Sequence, residues 1–270
     1  MKTFLAASVL VSFIGLGCRS HPASVDITPP SAPRGVETYA GDGFTEILWT
    51  DNTERDLAGY HVYVASNPQG NFRLIASTRS PNFIDRSAMN GITYYYGVTA
   101  YDFDGNEGAL SIDGFGVTPR PEGYSVALFS YLTSPNSAGY DFSTNSIGPY
   151  NDKYSDIFFE YSNGVAYMDV WDDSDIQDMG FTSSLDDIRE APNGGWAPTK
   201  DVRLIVGHTY VVWTWDNHFG KFLVTSLSSQ RAVFDWAYQL QEGNLFLKHS
   251  TQGRGDRGSL TRKSAPQHRS

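Results

Sequence analysis

The chain has 270 residues, 20 Lys and Arg against 30 Asp and Glu, and a formal net charge of −10 at pH 7. That balance excludes a general nucleic-acid binder, which neutralises phosphates with clustered cations. A single cysteine excludes an intramolecular disulfide, so the core alone must hold the fold.

The first 17 residues, MKTFLAASVLVSFIGLG, carry one cation at Lys2 and then an apolar run from Phe4 to Leu16. That run is too short to span a bilayer and has the proportions of a secretory signal. Leu16-Gly17-Cys18 resembles the lipobox of bacterial lipoproteins, although Gly15 stands where leucine is usual. The resemblance implies an acyl-carrying Cys18 and a membrane partner reached through that lipid; ordinary cleavage is the alternative. Arg19 follows the cysteine instead of the aspartate linked to inner-membrane retention, which implies an outer-membrane or cell-surface address.

Residues 18–30 are rich in proline, serine and alanine and read as an extended spacer. From there to residue 119 short strands alternate with turns: TEILWT, DLAGYHVYVAS, NFRLIAST and ITYYYGVTAYD, broken by NPQG and AMNG. In GYHVYVA the alternation places Tyr60, Val62 and Val64 on one face. With PPSAPRGV, Trp49 and GITYYYGVTAYDFDGNEG, this stretch resembles a fibronectin type III domain over residues 31–119. The resemblance implies a seven-strand sandwich in which Trp49 packs between the sheets and Tyr94 closes a corner with its hydroxyl. It also implies a spacer or protein-binding role without chemistry. Asp102, Asp104, Asn106 and Glu107 have alternate oxygen spacing, but an EF-hand's later glutamate and helices are missing, so a polar turn is the first reading. His61 reads as a surface residue of a strand.

VTPRPEG marks a proline-rich hinge at residues 118–123, followed by a second β-rich domain over residues 120–249. Strands are expected at YSVALFS, YSDIFFEYS, VAYMDVW, AVFDWAYQL and along VRLIVGHTYVVWTWDNHFGKFLVTSLS, with Asp216, Asn217 and His218 at a hairpin tip. The stretch TSSLDDIREAP predicts one helix, capped by serine and stopped before Pro192. The fold class is therefore all-β, with at most one or two short helices.

GYDFSTN, YSDIFFEY and HTYVVWTWDNHFGKFLVTSLS resemble the HmuY family of bacterial haem-binding lipoproteins, over about half of this domain. The resemblance implies haem as a cofactor, with His208 and His218 as candidate iron ligands and His249 nearby. From Asp141 to Glu190 twelve acids face only Lys153 and Arg189. Within that span Asp169, Asp172, Asp173, Asp175 and Asp178 are the densest oxygen cluster, with Asp172, Asp173 and Asp175 as candidate calcium ligands against a plain solvated loop. Paired carboxylates there would also suit a glycan hydrolase. No nucleophile elbow, phosphate loop or zinc helix accompanies them, so a non-enzyme is expected. Trp171, Trp196, Trp213 and Trp215 line either a recognition face or the core.

The end of the chain, residues 250–270, is basic, lacks apolar periodicity and reads as a disordered arm. The expectation as a whole is a non-catalytic envelope lipoprotein whose first domain presents a binding domain. Its ligand is a protein, a glycan or haem.

Overall fold

The structure, a computed structural model, describes residues 26–112 and 116–248. The signal, Cys18, His249 and the basic tail lie outside the described residues. Seventeen strands build four antiparallel sheets, and no α-helix occurs among the described residues.

The first sandwich takes β1 (Arg34–Gly41), β2 (Phe44–Thr50) and β5 (Asn82–Asp85) in one sheet. β3 (Leu57–Ala65), β4 (Arg73–Thr78), β6 (Tyr95–Asp102) and β7 (Ser111–Ile112) form the other, in the order β4-β3-β6-β7. Three strands facing four give the seven-strand fibronectin type III-like arrangement. Trp49 is 6% exposed among Val36, Ile47, Val62 and Val98, and the ring of Tyr60 meets it edge-on at 5.2 Å. The Tyr94 hydroxyl accepts the Met89 N–H at 3.1 Å, five residues upstream. Both residues do what a sandwich asks of them: one fills the space between sheets and the other ties a loop to a strand.

The second sandwich pairs β8 (Glu122–Phe129), β13 (Asp175–Phe181), β15 (His208–Trp213), β16 (Phe219–Leu227) and β17 (Arg231–Gln239) in the order β13-β15-β16-β17-β8. Its facing sheet takes β9 (Gly139–Asp141), β10 (Ser146–Gly148), β11 (Ile157–Ser162), β12 (Val165–Asp169) and β14 (Asp201–Arg203), in the order β10-β9-β11-β12-β14. Tyr140, Phe142, Phe159, Met168, Phe222, Phe234 and Trp236 fill the space between them. The β8–β17 sheet is apolar on both faces, as a sheet covered on both sides must be. Its far side buries Val211 and Phe219 under Ala191, Leu245 and Leu247. The β9–β14 sheet buries only its inner face.

One expectation needs correction. The predicted helix is a single 3-10 turn at Leu185–Asp187, although Ser184 and Asp187 do form the capping box. The Lys221 ammonium takes the Leu185 and Ile188 carbonyls, at 2.6 and 2.9 Å, so those acceptors are committed to the sheet below. The proline-rich stretch at 118–123 is tied to both sandwiches. Arg120 is fully buried; its N–H donates to the Gly41 carbonyl, its guanidinium to the Ala40 carbonyl, and Nη2 lies 3.0 Å from Glu122. Across the same junction the Ala40 N–H donates to the Lys248 carbonyl and the Gln241 amide to the Thr93 hydroxyl.

Candidate functional site

Alternation along β11 and β12 sends Phe159, Ala166 and Met168 inward and leaves Phe158, Glu160, Tyr167 and Asp169 on the outer face. Register completes that face: Phe158 is opposite Asp169 and Glu160 opposite Tyr167, while on the other side Asp201 is opposite Asp169 and Arg203 opposite Tyr167. Loops add aromatic rings at the Phe158 end. Tyr131 stacks on Tyr150 with centroids 4.8 Å apart, and Trp171 lies 5.3 Å from Phe158 and stacks on Tyr150 at 6.5 Å. All four rings are half-buried, so each keeps part of its surface toward solvent.

The carboxylates beside these rings are not at rest. Asp201 accepts the Thr199 hydroxyl at 2.9 Å, but the buried Oδ2 of Asp169 has no hydrogen-bond partner among the described residues. Burial, followed by the charges of Glu160 and Asp201, pushes the Asp169 carboxyl up to about 7. The Tyr131 phenol is also raised, by burial and then by Glu160 and Asp169. Stacked rings with convergent oxygen acceptors are what a pyranose needs, since its C–H face packs on an aromatic ring while its hydroxyls donate at the edge.

The residues singled out from sequence fall elsewhere, apart from Trp171 and Asp169. His208 and His218 stand at opposite ends of the β15–β16 hairpin, about 20 Å apart by strand rise. Each is engaged with a carboxylate, His208 with Asp178 at 3.0 Å and His218 with Asp216 at 3.3 Å. They cannot both ligate one haem iron. The calcium candidates disperse too: Asp172 is exposed on the turn after β12, Asp173 accepts from Ser174, and Asp175 pairs with Lys200 at 2.7 Å. The described group of three carboxylates close enough to share a cation is Asp26, Asp56 and Asp102. There both Asp102 oxygens already accept hydrogen bonds, from Asp104 and Asn106. Glu107 turns away to Thr99, Tyr63 and His61, and the His61 ring stacks on Tyr101 at 4.3 Å. Trp213 and Trp196 pack together against the Val211 and Phe219 layer, and Trp215 is half-buried in the hairpin turn.

No family model matches the chain. It is 27% identical over 156 residues to an amylopullulanase of Thermoanaerobacterium thermosulfurigenes, covering 53% of this chain and 8% of that protein. An amylopullulanase of Thermoanaerobacterium saccharolyticum is 27% identical over 159 residues, 54% of this chain and 12% of that one. The chain thus spans about a tenth of the length of these relatives. Among solved structures, an Fn3-like protein from Clostridium thermocellum is 22% identical, with a TM-score of 0.27, over 32% of this chain and 92% of that one. A DUF4466 family protein from Parabacteroides merdae is 10% identical, with a TM-score of 0.39, over 82% of this chain and 96% of that one.

Proposed function

We propose that this protein is a non-catalytic glycan-binding protein of the cell envelope, in which the fibronectin type III-like sandwich carries a second sandwich that holds sugar on its outer β9–β14 face. The observation that supports it is the row of Tyr131, Tyr150, Phe158 and Trp171 beside Asp169, whose Oδ2 has no hydrogen-bond partner among the described residues. Held up to about 7, that carboxyl is partly protonated at neutral pH and can donate to a sugar oxygen. Likeness over part of the chain to proteins named amylopullulanase favours an α-glucan such as pullulan. Pullulan titrated calorimetrically into the full chain should bind saturably, and Trp171→Ala should weaken it at least tenfold; absence of binding to pullulan and to a panel of neutral glycans removes the reading.

Envelope display rests on the signal-like start and the lone Cys18. Cys18→Ser should move the protein from the membrane to the soluble fraction and end acyl labelling, and unchanged partition would defeat the anchor.

One observation favours a second reading, hydrolysis. A raised carboxyl with a second acid nearby is the pairing that glycosidases use, and Asp169 has Glu160 diagonal to it across the β11–β12 pair. Reducing ends released from pullulan by the wild type and lost in Asp169→Asn would install that reading instead.

A further inference from the structure

We infer that Asp169 takes up a proton when a neutral glycan covers the outer face, so that binding there is proton-linked and weakens as pH rises. This rests on the glycan-binding reading of the same face. The geometry comes first. Asp169 on β12 has Asp201 of β14 directly opposite it, and cross-strand neighbours hold their Cβ atoms only about 4.5–5.5 Å apart. Its other neighbour, Phe158, offers no hydrogen bond, and Oδ2 is already shut off from water.

The charged and titratable groups on this face, from each strand packed against β12, are Glu160 on β11 and Asp201 and Arg203 on β14, with Tyr167 on β12 itself. The loop phenols Tyr131 and Tyr150 complete the set. Arg203 is set opposite Tyr167, two pairs along from Asp169, so the groups closest in register are an acid and a ring.

Burial and those neighbouring acids already hold the free Asp169 carboxyl near the middle of the physiological range. A stacked sugar removes more water from Asp169 and brings no positive charge. The ionised form therefore loses solvation that the neutral form never needed, and the carboxyl's affinity for a proton rises on binding. As an acid, Asp169 can then donate to a ring or hydroxyl oxygen of the ligand. A ligand bearing an ammonium group would reverse the sign, because it stabilises the carboxylate and expels the proton.

The test is calorimetric titration of the full chain with pullulan between pH 6.0 and 8.5, each point in two buffers of different ionisation enthalpy. Each unit of pKa rise on binding is about a tenfold loss of affinity across the titration. The expected result is a loss of roughly threefold to tenfold from pH 6.0 to 8.5, with heats that report proton uptake. In Asp169→Asn the affinity should vary less than twofold, about the level at which no linkage remains. Asp201→Asn should move the midpoint of the loss to lower pH. Binding that is flat with pH, or a slope that survives in Asp169→Asn, overturns the linkage and leaves the glycan reading standing. No binding at any pH removes the glycan reading and the linkage with it.

Discussion

Asp169 on β12 and Asp201 on β14 are directly opposed in register on the open face of the second sandwich, two like charges where a sheet gains most from unlike ones. The arrangement costs stability whenever both are ionised. Its sign is fixed by linkage: the folded Asp169 pKa, about 7, lies above the ordinary carboxylate value, so the folded state holds the extra proton between those limits. Stability from this group is full at low pH and is lost as pH rises through 7.

Asp169→Asn should therefore stabilise the protein at pH 8, by about 1–3 kcal/mol in urea unfolding, and the gain should shrink toward pH 4. A gain that is the same at both pH values would show that the charge is not its source.

Two tryptophans should separate binding from folding. Trp236 is 1% exposed in the core of the second sandwich, and its replacement by alanine should cost about 3–5 kcal/mol. Trp171 is half-buried and packs on Tyr150 and Phe158 outside the core, so Trp171→Ala should cost about 1 kcal/mol of stability. Its pullulan affinity should nevertheless fall at least tenfold, the scale of an interface hot spot at about 2 kcal/mol. Parallel denaturation and binding curves read both.

At the junction, Arg120→Ala should destabilise by about 3–5 kcal/mol, because Glu122 is left without its 3.0 Å partner and the Ala40 carbonyl loses a donor. Burial and the nearby Arg120 charge hold the Lys221 ammonium well below its ordinary range. In Arg120→Ala that repulsion is gone, and the Lys221 amine should titrate at higher pH by nitrogen-15 NMR.

The strands with clean alternation were legible in the sequence, and in the first sandwich Trp49 is buried in the core while the Tyr94 hydroxyl accepts the Met89 N–H. The short strands were not. β9 and β10 have three residues each, too few for a period, and the three-residue β14, at the start of an expected strand stretch, is set apart by its pairing with β12. The stretch from Asp175 to Phe181 looked like an acidic loop because Asp175 and Asp178 mask its alternation, yet Lys200 and His208 engage those acids and the strand pairs with β15. The site was half visible: Trp171 and Asp169 stood out as an aromatic and an acid. Their meaning depends on Asp201 and Tyr131, which only tertiary pairing brings beside them.

The central claim is that the open face binds neutral glycan without cleaving it. Calorimetric titration of the full chain with pullulan at pH 6.0, followed by an assay for reducing ends in the same sample, tests both halves. The account predicts saturable binding, at least tenfold weaker in Trp171→Ala, and no new reducing ends. Absence of binding, or binding accompanied by chain scission, would contradict it.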